Sequence, residues 1–287
     1  ASLELNGLVT NANGLNTQSG LVFAGIQTLD GTGVVDLDNG FLYLVEPLTE
    51  LTIGAGVTVR GHGGIDSYGL TDTSLINRGT LVAGMTPQGS EFRISGNIDL
   101  TNEGTLSAPD GTHMNVGGPA TLTAASRLVT GPTGLVSFGK DYLPAATNPS
   151  SVDLPGTLWL NGGGTVDDPR LLEATGQDRG AVAAGYEANF AVGTLRVSNG
   201  FARLVDQANN AAGSGTEAVY ADTLVVPAGT TLDLNGLNLY ARTVNVQGTV
   251  IGTVRVVADG GPLVSGTAVS GTIAQPGETD EWTFYAR

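Results

Sequence analysis

One nine-residue unit decides the fold and occurs twice, as Leu75-Ile76-Asn77-Arg78-Gly79-Thr80-Leu81-Val82-Ala83 and as Leu100-Thr101-Asn102-Glu103-Gly104-Thr105-Leu106-Ser107-Ala108. In both copies an Asn and a Gly-Thr pair separate two short apolar stretches. Asn77 and Asn102 stand about 25 residues apart, which is the length of one coil in a solenoid. The repeat predicts equivalent strands stacked in successive coils.

Shorter echoes of this unit occur along the chain. A Gly-Thr pair followed by an aliphatic or similar residue begins at Gly156, Gly164, Gly193, Gly248, Gly252 and Gly271. Residues 51–59 match residues 224–232, and both segments read as a strand, an Ala-Gly turn and a second strand. A β-sandwich gives a fixed motif no reason to return, whereas stacked coils do. We therefore predict an all-β protein with a right-handed parallel β-helix over residues 1–262.

The physical basis of such a helix predicts a role for each residue type. Strands of successive coils pair about 4.8 Å apart, with Leu, Val and Ile pointing inward and Thr, Asn and Asp outward. Glycine is expected at corners, where it supplies a positive φ. An Asn at a corner can hydrogen-bond along the stack.

Several segments depart from the pattern. Residues 140–153 and 207–217 lack alternation and are predicted to be loops, where binding sites usually lie. Residues 169–184 allow a short helix at most, and Asp167-Asp168 before Pro169 is predicted to be its N-terminal cap. Residues 263–287 read as a short β extension with a Pro-Gly turn.

Composition excludes several classes of function. The 287 residues contain 27 acidic and 12 basic side chains and no Cys, which gives a net charge of -15. So acidic a chain is repelled by nucleic acids, and the sequence has no stretch long enough to span a membrane. Only 14% of residues are charged, against roughly 25% in an average domain, which is typical of a polar extracellular surface. The start at Ala1 predicts a segment processed or excised from a secreted protein.

Few residues are candidates for chemistry. Asp36 and Asp38 share one strand face, and the sequence around them resembles a calcium loop only faintly because other ligands are missing. We interpret them as solvated strand-end carboxylates, with calcium as the weak alternative to having no cofactor. His62 in a Gly-rich segment is interpreted as part of a wide corner, and His113 is far from it in sequence. The sequence predicts no enzyme.

The two ends carry the predicted assembly interface. Leu3, Leu5 and Leu8 indicate a strand from the outset, without a capping helix. Near the other end, the large aromatic residues are Trp282, Phe284 and Tyr285. This last strand can fold back on its own chain or add to the edge of another copy. Open ends favour head-to-tail association, and head-to-tail contacts that do not close make filaments.

The Asn-x-Gly-Thr-Leu units resemble the coils of large secreted bacterial β-helix exoproteins of the filamentous-haemagglutinin-like, adhesin type. Residues 189–195, 203–206 and 227–242 are similar to a module of very large bacterial surface proteins. Residues 271–286 resemble the opening strands of a pre-peptidase C-terminal β-sandwich. The resemblance implies a secreted structural protein of the cell surface or biofilm matrix that binds itself. It also leaves open an adhesin that binds surface glycans and, third, a polysaccharide lyase or hydrolase.

Overall fold

A computed structural model describes residues 2–5, 8–12, 20–87, 89–213, 215–257, 260–262 and 281–283. The chain is all-β, and its parallel sheets stack into a β-solenoid of about 10 turns. The predicted fold class is therefore confirmed. In the described part of the chain, no helix has the length and apolar character needed to span a bilayer.

In the described ranges, the secondary structure consists of short strands with two single-turn 3-10 helices. The strands are, in chain order, β1 (Ser2–Leu5), β2 (Leu8–Ala12), β3 (Gly20–Phe23), β4 (Ile26–Gly31), β5 (Val34–Leu44), β6 (Glu50–Ile53), β7 (Thr58–Asp66), β8 (Thr73–Asn77), β9 (Thr80–Ala83), β10 (Glu91–Ile94), β11 (Ile98–Asn102), β12 (Thr105–Ala108), β13 (His113–Val116), β14 (Ala120–Leu122), β15 (Arg127–Thr130), β16 (Leu135–Phe138), β17 (Val152–Leu160), β18 (Arg170–Glu173), β19 (Gly176–Gln177), β20 (Val192–Val197), β21 (Phe201–Val205), β22 (Glu217–Val226), β23 (Thr231–Asp233), β24 (Asn238–Val246), β25 (Thr249–Ile251), β26 (Arg255–Val256), β27 (Gly260–Pro262) and β28 (Glu281–Thr283). The 3-10 helices are Pro149–Ser151 and Ala183–Tyr186.

Successive coils pair strand on strand in parallel. One face is the sheet β1-β4-β6-β8-β11-β14, and later coils continue as β18-β21-β23-β25. The remaining faces merge into one 16-stranded sheet. They merge because long strands serve two faces at once, as β5 does by pairing with both β2 and β3.

The duplicated unit stacks on itself as predicted. Asn102 lies directly opposite Asn77 in the β11–β8 pair. The Asn77 Nδ2 donates to the Asn102 Oδ1 at 2.7 Å, with both side chains fully buried. The two amides interrupt an otherwise aliphatic stack, whose members are Leu29, Ile53, Asn77, Asn102 and Leu122.

The core consists of such inward-facing stacks of apolar side chains, one from each coil. A second stack consists of Val35, Val59, Leu81, Leu106, Leu128 and Val152. A third consists of Leu42, Ile65, Ile94, Val116, Phe138, Leu160 and Val197. A single coil cannot bury these faces, so each coil depends on its neighbours.

The glycines of the nine-residue unit are explained by close packing rather than by corner geometry. A Cβ on Gly104 would lie 2.1 Å from the Gly79 carbonyl oxygen of the previous coil. Neither residue has a positive φ, so the predicted reason was wrong for this motif. Gly229 does have a φ of 78° in its Ala-Gly turn, as the prediction requires.

The segment around His62 forms a corner within one strand, as predicted, because residues 58–61 of β7 pair with β9 whereas residues 63–65 pair with β10. Gly61, Gly63 and Gly64 lie inside β7, with φ values of 122°, 130° and 150°. Side chains at these positions would meet backbone carbonyls of the coils on either side. The glycines therefore let a strand cross from one face to the next without a loop.

Two predicted loops have different structures. In residues 140–153, Tyr142 and Pro144 form parallel bridges to Leu172 and Leu122, so this segment fills a gap in the ladder. Residues 206–213 and 215–216 lie outside the strands, between β21 and β22, as predicted.

The predicted N-terminal cap at Asp167-Asp168 was wrong. Asp168 forms an ion pair with Arg170, which begins β18 rather than a helix. The only helical turn within residues 169–184 begins at Ala183. Parallel pairing of Arg170 with Ala202 in the next coil outweighs the local helix signal.

Candidate functional site

The predicted assembly residues lie on terminal strands where the structure describes them. Leu3 lies opposite Leu29 in the β1–β4 pair and is 48% exposed. Leu5 ends β1, and Leu8 begins β2. Within the described ranges, β1 pairs only with β4 and β2 only with β5, so each leaves its other edge open.

At the other end, the predicted donor strand has a partner in its own chain. Trp282 lies in β28 and faces Gly261 of β27 in a parallel pair. Phe284 and Tyr285 lie outside the described residues. The boundary at 262, and the role of these aromatic residues in assembly, stay predictions.

The last full coil has an open edge. Val244 and Val246 in β24 lie opposite Leu224 and Val226, both of which are fully buried. The two outer valines are 39% and 37% exposed. β26 covers only Tyr240 and Ala241, so among the described residues no strand pairs with the outer edge of Thr243–Val246. The inward-facing valines are exposed because no further strand of the described residues stacks on them.

A cavity of about 410 Å³ opens on the side of the solenoid. Its lining comes from the start of β15, the predicted loop 140–153 and the segment before β20. The lining residues are Arg127, Pro149, Ser150, Val152, Asp153, Tyr186, Ala188, Asn189, Phe190 and Ala191. Loop residues far apart in sequence therefore form one concave surface.

The wall of this cavity is held in an unusual backbone conformation. Ala188 and Phe190 have φ values of 45° and 57°, which non-glycine residues seldom adopt. Between them, the buried Asn189 side chain donates to the carbonyls of Gln177 and Gly185 and accepts from the Gln177 N–H. These bonds over-determine the strained segment, as is common at binding sites.

The mouth of the cavity carries one charge of each sign. Arg127 and Asp153 are exposed and lie on adjacent paired strands, β15 and β17. Neither side chain belongs to an ion pair found within the described part of the chain. Arg60, by contrast, is paired with Asp36 of the neighbouring coil at 2.8 Å. Arg127 and Asp153 are therefore available to a ligand.

Tyr186 forms the aromatic side of the cavity. Its hydroxyl donates to the Ala221 carbonyl, and the Arg242 guanidinium lies 4.1 Å from its ring centroid. Arg242 is itself paired with Asp222 at 2.9 Å. Burial raises the pKa of the Tyr186 hydroxyl, so this group stays neutral. The hydrogen bond to Ala221 and the Arg242 guanidinium hold the ring in position.

A second cluster lies beneath the loop after β21. Glu173 and Glu217 are 2% and 3% exposed. Burial raises the pKa of Glu173, and burial with the nearby Asp206 and Glu173 carboxylates raises the pKa of Glu217 to about 7. One oxygen of each Glu carboxyl is buried without a hydrogen-bond partner, as is the Oδ1 of Asn210.

The residues considered for chemistry are dispersed. Asp36 is partnered by Arg60 rather than solvated alone, and Asp38 lies opposite His62 without a hydrogen bond to it. His113 is half-buried and shares a 2.7 Å hydrogen bond with Ser137. Among the described residues, no group of three or more His, Cys, Asp or Glu side chains is arranged to hold a metal ion.

Sequence reasoning missed the residues that build the cavity and the buried cluster. Arg127 was detectable as one of few basic residues in a chain of charge -15. Asn189 and Glu217 belong to no motif, and their importance depends on burial that only the folded chain shows.

Comparison with known proteins gives no relative. No protein-family model matches the chain, and neither a curated protein nor a solved structure shows significant similarity to it. The resemblance to secreted bacterial exoproteins and to pre-peptidase domains stays a prediction.

Proposed function

We propose that the chain is a structural, non-enzymatic segment of an extracellular filament, stalk or matrix, extended end to end by strand pairing. The observation that carries this proposal is the open edge of β24, where the otherwise buried positions of Val244 and Val246 are exposed. An unpaired strand edge is a template for another strand.

The partner is the first coil of a second copy. Among the described residues, β1, β2 and β3 each pair on one side only, so their open edges offer parallel strands. β3 belongs to the same face as Val244 and Val246, and Leu3 of β1 supplies an exposed apolar side chain at this end. The contact joins two different surfaces, so it repeats without closing and gives a linear assembly.

A lysine at the open edge is expected to block this assembly. In Val246→Lys, an inward-pointing charge would be buried by the next coil, which costs several kcal/mol. We expect wild-type protein to form fibres in electron micrographs. The average particle mass measured by light scattering should increase with protein concentration. The variant should remain monomeric.

The matched control is Val166→Lys, because Val166 is 64% exposed and lies outside the strands. It should assemble like wild type. A wild-type protein that stays monomeric at every concentration, or fibres formed equally by Val246→Lys, would show the proposal to be wrong.

The cavity favours a second candidate function, that of an adhesin that binds a surface glycan. A sugar presents hydroxyl groups and an apolar C–H face. Arg127 can donate to hydroxyl oxygens, Asp153 can accept from hydroxyls, and the Tyr186 side offers apolar contact.

Neutral variants at the cavity mouth test glycan binding. Arg127→Gln and Asp153→Asn remove one charge each and should weaken binding at least about tenfold, since each loses a charge-assisted hydrogen bond. Glycan-array screening followed by calorimetry measures this. Arg196→Gln is the control, because exposed Arg196 stacks on Trp159 away from the cavity. Equal affinity in all variants would exclude this cavity.

A further inference from the structure

The loop between β21 and β22, described at residues 206–213 and 215–216, is tied to two buried carboxyl groups. The N–H groups of Gln207 and Ala208 donate to the Glu173 Oε1 at 2.6 and 2.8 Å. The Ala211 N–H donates to the Glu217 Oε1 at 2.6 Å. Each carboxyl therefore uses one oxygen to hold the loop and leaves the other, Oε2, buried without a partner.

The same loop holds the segment that leads to the cavity. Asn210 is 1% exposed, and its Nδ2 donates to the carbonyls of Pro144 and Ala146, at 2.8 Å each. That segment continues into Pro149 and Asp153, which line the cavity. The Asn210 amide therefore joins the loop to the segment that leads into the cavity wall.

The charges that face these carboxyls are all acidic. Asp206 accepts from the Glu217 N–H at 3.1 Å, and its carboxylate disfavours ionisation of both Glu173 and Glu217. The segment on the other side presents the Pro144 and Ala146 carbonyls to Asn210. No ion pair found among the described residues places a basic side chain on Glu173, Asp206 or Glu217.

We propose that the loop segment 206–213 forms a proton-dependent latch, closed over Glu173 and Glu217 while Glu217 is protonated and opened when both carboxyls are charged. Two buried carboxylates beside a third acid repel one another and lack a counter-ion. A proton on the Glu217 Oε2 removes one charge and gives this oxygen a hydrogen to donate. The unpartnered oxygens of Glu173 and Asn210 are the buried acceptors in the cluster. This regulatory role goes beyond assembly and glycan binding.

The direction of the pH effect follows from the raised pKa. Glu217 has a pKa of about 7 in the closed loop, against 4.5 for an ordinary glutamate. Its contribution to the closed state is complete below pH 4.5 and is lost as the pH rises through about 7. Opening therefore releases a proton and becomes easier between these values.

Hydrogen exchange of the full chain tests the latch. We expect the protection factors of Gln207, Ala208 and Ala211, corrected for intrinsic exchange, to fall at least about tenfold from pH ~5 to pH ~8. Glu217→Gln keeps an acceptor for Ala211 and replaces the proton by an amide N–H. In this variant the three loop amides should stay protected at both pH values. The amide of Ala145 in the adjoining segment, which donates to the Leu122 carbonyl, should stay protected as well.

The control is Glu187→Gln, which removes an exposed carboxyl from another segment and should behave like wild type. Glu173→Gln provides a second test in case Glu217→Gln folds poorly. It also removes one of the two buried charges, so it should reduce the pH dependence of protection. Equal protection of wild type at both pH values would overturn the latch. So would an unchanged fall in both variants, or restoration of protection at pH ~8 by about 1 mM calcium, which would indicate a cation site.

Discussion

Replacing Gly64 with alanine is expected to unfold the central coils of the solenoid. A Cβ at this position would lie 1.9 Å from the Arg93 carbonyl oxygen, a backbone atom of the next coil. The φ of 150° adds strain to any residue with a side chain. Relief requires β7 and β10 to separate, which breaks the ladder in the middle of the molecule. We expect the free energy of unfolding to fall by more than about 4 kcal/mol.

Thermal and urea denaturation followed by circular dichroism measure this loss. A midpoint at least about 8 °C lower is expected for a chain of this size. Gly215→Ala is the matched control, since a Cβ there meets no atom within 4 Å and its φ is not positive. Similar stability of the two variants would show that adjacent coils can separate locally at little cost.

Truncating Asn189 to alanine is expected to collapse the wall of the cavity. The change removes three hydrogen bonds and leaves the Gln177 and Gly185 backbone groups without this partner. Leaving buried polar groups unsatisfied costs about 3 kcal/mol here. Ala188 and Phe190 can then leave their positive φ values. Relief of this backbone strain offsets part of the lost free energy of unfolding, and the wall loses its concave shape.

Two measurements separate these effects. Denaturation should show the loss of stability, and any glycan that binds wild type should no longer bind Asn189→Ala even at a temperature where the variant is folded. Asn209→Ala is the control, because Asn209 is exposed and outside the cavity lining. Retained binding by the Asn189 variant would mean that the wall is shaped by other contacts.

The repeat was enough to predict the fold. The Asn77 and Asn102 units are equivalent strands in adjacent coils because backbone pairing imposes the same environment on each repeat. The function of their glycines could not be predicted, because it depends on how closely two coils approach. The 140–153 segment was predicted to be a loop because it lacks alternation. Its place in the ladder could not be predicted, because the gap that Tyr142 and Pro144 fill exists only once the coils are stacked.

The cavity and the latch could not be predicted from local patterns. Three strands, β19, β20 and β21, separate Glu173 from Glu217, and which coil each glutamate joins depends on loops of unequal length. Desolvation shifts the pKa of a carboxyl only after folding has buried it. The open edges were predictable in kind, whereas the exposure of Val244 and Val246 depends on how far β26 extends.

We expect the buried Asn77–Asn102 pair to fix the alignment of the coils during folding. Many coils carry similar aliphatic residues at equivalent positions. A chain could therefore stack one coil out of place and still bury aliphatic side chains against one another. A slip would set an amide against Ile53 or Leu122, the aliphatic neighbours on either side of the pair, and would leave the Asn102 Oδ1 without the N–H that Asn77 donates to it. The penalty of about 1–3 kcal/mol for each orphaned group steers the nascent solenoid away from misthreaded alternatives.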